Sequence, residues 1–174
     1  MDSPFVQTKS SEALRVCCYG SSSPRTPQAY LDEAWNVGYV LAKRGHTCVN
    51  GAGSSGCMAS LNDGASDGNG NIVGVIHEMF VVDGSDWVNR EGGAHPELQK
   101  TTTSGGGAGP HRELLVAGGD DLQERKKLLV QDADAIIVLP GGPGTWDEVK
   151  HACVWNAKTQ LQSTANKSWC TVVL

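Results

Sequence analysis

With 174 residues, the chain is long enough for one well-cored domain and too short for two ordinary ones. A hydrophobic fraction of 39% with 19% charged residues argues for a globular fold rather than disorder. The formal net charge of -5 offers no general attraction for a phosphate backbone, so a nucleic acid polymer is an unexpected partner. A small anion can still bind through local backbone dipoles. No run of ~18 apolar residues is present, so no membrane span is expected. Residues 1–11 are polar and lack the apolar core of a signal peptide, so they read as a disordered tail and the expected location is cytoplasmic. The cysteines (Cys17, Cys18, Cys48, Cys57, Cys153 and Cys170) form no Cys-x-x-Cys pair. Reduced, buried thiols are expected, and no metal site.

Taken in chain order, short apolar runs alternate with longer amphipathic stretches. Leu14 to Tyr19 reads as a buried strand, ended by Gly20-Ser21-Ser22-Ser23-Pro24. A helix is expected from about Pro27 to Arg44, with Tyr30, Ala34, Val37 and Leu41 at helical spacing and Gly45 as its C-terminal glycine. Thr47–Asn50 is a second strand, and Gly51-Ala52-Gly53-Ser54-Ser55-Gly56 leads into a helix through Met58, Leu61 and Ala65. Asn71 to His77 is a third strand. Residues 83–111 are rich in glycine and poor in apolar anchors, which predicts a long loop or insertion. Leu114–Ala117 is then a strand, Asp121–Val130 a charged helix and Ala135–Leu139 a strongly apolar strand. A helix is expected from near Thr145 past Trp155, followed by a last strand from Trp169 to Leu174. Trp35 and Trp155 are expected in the core. This alternation predicts a single α/β domain over residues 12–174, with a mostly parallel sheet and helices on both faces. Ligands bind such sheets beyond the carboxyl ends of the strands, where the glycine clusters after Tyr19, Asn50 and Leu139 all fall.

The turn after Leu139 carries the most chemistry. Gly141, Gly142 and Gly144 let the backbone turn sharply and expose N–H groups, and Thr145 opens the next helix. A phosphate there meets backbone donors, a hydroxyl and the positive end of the helix dipole. The bland alternative is a glycine-rich turn without a ligand. Glu148 has two readings as well: Thr145-x-x-Glu148 has the spacing of a capping box, and the carboxylate can equally serve catalysis. The Gly51–Gly56 cluster is a turn or a ligand loop, and the hydroxyls of Ser21–Ser23 can contact a nucleotide. Arg125 and Lys126 lie on a charged helix whose default reading is a solvated face with Asp121 and Arg125 paired at i, i+4. The histidines show no metal-ligand spacing and receive no role.

Together these pieces resemble the Lonely Guy (LOG) phosphoribohydrolases, a family formerly labelled possible lysine decarboxylases. The family hallmark Pro-Gly-Gly-x-Gly-Thr-x-x-Glu stands complete as Pro140, Gly141, Gly142, Gly144, Thr145 and Glu148. Arg125-Lys126 match a second hallmark on the preceding helix. Gly51, Gly53, Gly56 and Met58 meet a Gly-Leu-Met-Gly-like element in part, and Gly20-Ser21-Ser22 matches the opening turn. The resemblance implies a Rossmann-like fold, a homodimer, no cofactor and cleavage of the N-glycosidic bond of a purine riboside 5′-monophosphate, with a cytokinin or adenine as base. It makes Arg125 and Glu148 the catalytic pair, and Gly20, Ser21, Gly53, Met58, Lys126, Gly141, Gly142, Gly144 and Thr145 substrate-binding residues. In that chemistry a carboxylate stabilises developing oxocarbenium charge and activates water, while the arginine holds substrate and aims the carboxylate.

Departures from the pattern are specific. Ala52 and Ala59 stand where the family has glycine, Cys57 where it has leucine, and Gln123 where it has histidine. The 83–111 stretch is longer than the family connection. A non-catalytic module that holds a nucleotide or phosphorylated cofactor, like the molybdenum-cofactor carriers that resemble this family, is the alternative. Retention of Arg125 and Glu148 favours the enzyme.

Overall fold

The computed structural model describes residues 12–81, 101–102, 111–162 and 170–173. The tail expected at 1–11 and most of the loop expected at 83–111 lie outside them. Among the described residues the sheet has seven strands: β1 (Arg15–Tyr19), β2 (Thr47–Asn50), β3 (Asn71–His77), β4 (Thr101–Thr102), β5 (His111–Ala117), β6 (Ala135–Val138) and β7 (Cys170–Val173). Their order is β4-β5-β3-β2-β1-β6-β7. Every pairing is parallel except β4 with β5, which is antiparallel. The helices are α1 (Gln28–Lys43), α2 (Gly56–Asp67), α3 (Glu78–Val81), α4 (Gln123–Val130) and α5 (Pro143–Gln162).

Alternation along the strands divides the core in two. Val16, Cys18, Cys48 and Ile72 face α1 and α2, where they meet Ala34, Leu41, Cys57, Leu61 and Ala65. Cys17, Tyr19, Val49, Val73 and Val75 face the other way, toward Leu129 and Val130 of α4 and Ala152 of α5. The expected Rossmann-like α/β layering, with helices on both faces, is the observed one. Helices α1 and α2 approach closely because two glycines leave room: a Cβ at Gly38 would strike the Leu61 carbonyl, and one at Gly64 the Trp35 carbonyl. Helix α1 ends as its sequence predicts, with Gly45 at φ +75° and the Gly45 and His46 N–H groups donating to Ala42 and Leu41.

Several boundaries differ from the sequence reading. Strand β5 begins at His111, three residues earlier than the apolar run, because pairing with β3 continues from Ala117 back to His111. Helix α4 begins at Gln123; Asp121 stands before it and accepts the Gln123 N–H at 2.9 Å. Helix α5 begins at Pro143, where the missing N–H of proline costs nothing. Tyr30 is exposed although it shares the apolar spacing of α1. Trp35 is half-buried outside the core clusters, stacked on Tyr39 and donating to Asp67, whereas Trp155 packs against the core. Cys17, Cys18, Cys48 and Cys57 are buried free thiols as expected, but Cys153 is exposed. Among the described residues, no helix is long and apolar enough to cross a membrane.

Candidate active site

Strand order reverses at β1: the chain moves from β1 outward to β2 and β3, then returns to place β6 on the other side. The crevice beyond the carboxyl ends of β1 and β6 is where an open α/β sheet accepts a ligand. Two of the glycine turns flank it and are tied together. The Ser21 N–H donates to the Pro140 carbonyl at 3.0 Å, and the Ser21 carbonyl accepts from the Met58 N–H at 3.3 Å. The Ser21 hydroxyl accepts from the Ser23 N–H and from the Thr26 hydroxyl. Gly20 is buried, and a Cβ there would press on Cys57 and Leu139. Both residues therefore fix the geometry of the crevice.

The turn after β6 is built for close approach. A Cβ at Gly141 would overlap the Thr145 side chain, while Gly142 and Gly144 face open space. Thr145 is buried. It lies in the third position of α5 rather than at the cap, so the capping-box reading of Thr145-x-x-Glu148 fails. The Glu148 carboxylate turns to α4 instead.

There it meets Arg125. The guanidinium Nη1 donates to Glu148 Oε1 at 2.7 Å, and the two side chains are 12% and 15% exposed. Arg125 Nε donates to the Val75 carbonyl at 3.1 Å, and Nη2 to the Gly51 carbonyl at 3.4 Å. The pairing of Arg125 with Asp121 expected from i, i+4 spacing is thus replaced by a long-range pair. Gly51 opens the glycine cluster after β2, and a Cβ at that position would collide with the guanidinium. The glycine is needed because a cation lies against its backbone. Gly53 makes room in the same way for Met58.

Next along both helices, Lys126 Nζ pairs with Asp147 Oδ2 at 2.5 Å. Lys126 holds the Asp147 carboxyl below its ordinary range, chiefly by the hydrogen bond and then by charge. Consecutive cations on α4 thus meet consecutive acids on α5. Beneath the Arg125–Glu148 pair lies a dry floor. Burial pushes the Cys17 thiol up to about 12 and raises the Tyr19 hydroxyl well above its usual value, with the nearby Glu148 charge adding to both. A half-buried ion pair over such a floor is screened less than one at the surface.

The loop after β2 is held from below. Asn50, fully buried, accepts the Ala52 N–H at 2.9 Å and donates to Asn62 at 2.6 Å. This locks Ala52 at φ +56°, a conformation that costs a non-glycine residue about 1 kcal/mol or more. The lock aims the Gly51 carbonyl at Arg125.

The model of the SLOG cluster4 family matches residues 13–167. The chain belongs to the SLOG cluster4 family. The LOG-type resemblance is thereby established. Relatives of this SLOG chain include a cytokinin riboside 5′-monophosphate phosphoribohydrolase, LOG, of Oryza sativa subsp. japonica. It is 29% identical over 141 residues, which cover 81% of this chain and 49% of the rice protein. A protein of the same name from Mycobacterium marinum is 34% identical over 148 residues, covering 83% of this chain and 65% of that one. The chain thus spans about half the length of the rice relative and under two thirds of the mycobacterial one. A solved structure, the molybdenum cofactor binding protein of Rippkaea orientalis, shares the fold with a TM-score of 0.54 at 17% identity, covering 92% of this chain and 90% of its own.

Proposed function

We propose that this SLOG-family chain hydrolyses the N-glycosidic bond of a purine riboside 5′-monophosphate, releasing the free base and ribose 5-phosphate. The observation that carries the reading is the largely buried Arg125–Glu148 pair, whose arginine is anchored to the carbonyls of Val75 and Gly51. The phosphate sits at the Gly141–Thr145 turn, against the N-terminus of α5. That places the ribose one turn of helix away, alongside Glu148. As the bond breaks, its electron pair leaves with the purine and positive charge develops at the anomeric carbon; the Glu148 carboxylate stabilises it and accepts a proton of the water that attacks there, and the departing base takes up a proton from solvent. Arg125 keeps the carboxylate aimed, because each of its three nitrogens donates one hydrogen bond in a planar fork. Lys126, also held in place, adds positive charge near the phosphate. Binding energy at the phosphate positions the reacting carbon. The chemistry needs neither cofactor nor metal. In this reading the protein acts in the cytoplasm as a homodimer.

The experiment is direct. Incubate the protein with AMP and with isopentenyladenosine monophosphate, and measure free base and ribose 5-phosphate. Release of both products from at least one substrate is expected, and the ratio of the two rates identifies the preferred base. Tight binding without release from any purine monophosphate favours instead the non-catalytic carrier that retains the fold.

A further inference from the structure

His77 ends β3 and is 1% exposed. Its Nδ1 accepts the Met79 N–H at 3.2 Å, so the ring proton sits on Nε2. That Nε2 is fully buried and has no hydrogen-bond partner. An unmade hydrogen bond at a buried donor is costly, and such groups call for a specific explanation. Strand alternation puts His77 on the same face as Val73 and Val75, under the α4 side. Two residues back, the Val75 carbonyl holds Arg125 Nε. The ring therefore stands at the carboxyl edge of the sheet, at the end of the same strand that anchors the arginine.

Its distance from the phosphate turn is the second observation. Between β6 and β3 lie β1 and β2, three strand spacings in all. At ~4.8 Å per spacing this is about 14 Å. A nucleoside monophosphate laid across these strand ends spans a comparable length. With the phosphate beyond β6 and the ribose at Glu148, the base arrives over β3.

We propose that His77 recognises the base: its Nε2–H donates to a ring-nitrogen acceptor of the purine. This assignment rests on the nucleotide reading above. Binding requires the imidazole to turn outward or the short α3 to shift. Either motion replaces an unmade hydrogen bond with a made one. A purine offers lone pairs at N1, N3 and N7, and a lone N–H donor suits any one of them.

Calorimetric titration of the full chain separates the possibilities. The ligands are AMP, its 1-, 3- and 7-deaza analogues, and ribose 5-phosphate; the variants are His77→Leu and His77→Gln. His77→Leu should weaken AMP binding about three- to tenfold, the loss of one neutral hydrogen bond. It should leave ribose 5-phosphate binding unchanged. One deaza analogue should bind the wild type and His77→Leu alike, and that analogue names the acceptor. His77→Gln, which keeps a donor near the Nε2 position, should recover part of the loss. Without ligand, His77→Leu should melt at or above the wild-type temperature, since an unpaired buried donor is gone and the Met79 N–H can turn to water. The assignment is overturned if His77→Leu binds AMP normally, if it loses AMP and ribose 5-phosphate equally, or if every deaza analogue distinguishes it from wild type as AMP does. If the wild type binds neither AMP nor ribose 5-phosphate, the nucleotide reading falls first and this assignment with it.

Discussion

At the scale of single residues, the Arg125 guanidinium is the hub of the site. It reaches a carboxylate on α5 and the carbonyls of Val75 and Gly51. Removing it leaves Glu148 half-buried without its cation, so Arg125→Ala should cost about 1–3 kcal/mol of stability by chemical denaturation, beyond its loss of activity. Gly51→Ala tests the hub from the other side. The added methyl would displace the guanidinium. Activity should fall at least tenfold while ligand-free melting changes little; unchanged activity would show that Arg125 need not stay where it lies. The Lys126–Asp147 pair makes a pH prediction. Because the Asp147 carboxyl is lowered by Lys126, its contribution is complete above the usual carboxylate range and fades as pH falls through the lowered value. Asp147→Asn should therefore lower neutral-pH melting slightly and remove that part of the acid dependence. Melting curves from pH 2 to 7 check it; identical curves would mean the exposed pair contributes nothing.

At the scale of elements, the sequence shows more of the scaffold than of its joints. Strands β1, β2, β3 and β6 were legible because buried parallel strands are continuous apolar runs between turn residues. The glycine turns were legible because their spacing is unusual. Helix starts at Gln123 and Pro143 were less so, since Asp121 and Thr145 both look like caps and only tertiary geometry decides between them. Long-range partners were hidden altogether: the i, i+4 rule offered Asp121 to Arg125, and nothing local announces a carboxylate 23 residues on. The resemblance supplied that pairing. His77 was passed over because a lone histidine ending an apolar strand carries no spacing signal. The α1–α2 contact yields a prediction of its own. Gly64→Ala places a methyl against the Trp35 carbonyl. It should destabilise the fold by roughly 1–3 kcal/mol despite a gain in helix propensity, measured by denaturant titration. A neutral or stabilising result would mean that the two helices can separate without loss.

At the scale of the whole molecule, the sheet organises the site. Its order reverses at β1, so three loops from three strand ends converge on one crevice, and α4 and α5 cross above it on the side opposite α1 and α2. The family is established over residues 13–167, yet the chain covers only part of its curated relatives, so catalysis has to be shown for this protein itself. The decisive comparison is wild type against Glu148→Gln on AMP or the better cytokinin monophosphate, with turnover and ligand affinity measured on the same samples. The glutamine keeps the shape and can still bond Arg125, but it neither carries the charge nor accepts the proton. Turnover should fall by about 10²–10⁴ with affinity and melting temperature nearly unchanged. Full turnover by Glu148→Gln would contradict the account, leaving the carboxylate a structural partner of Arg125 and nothing more.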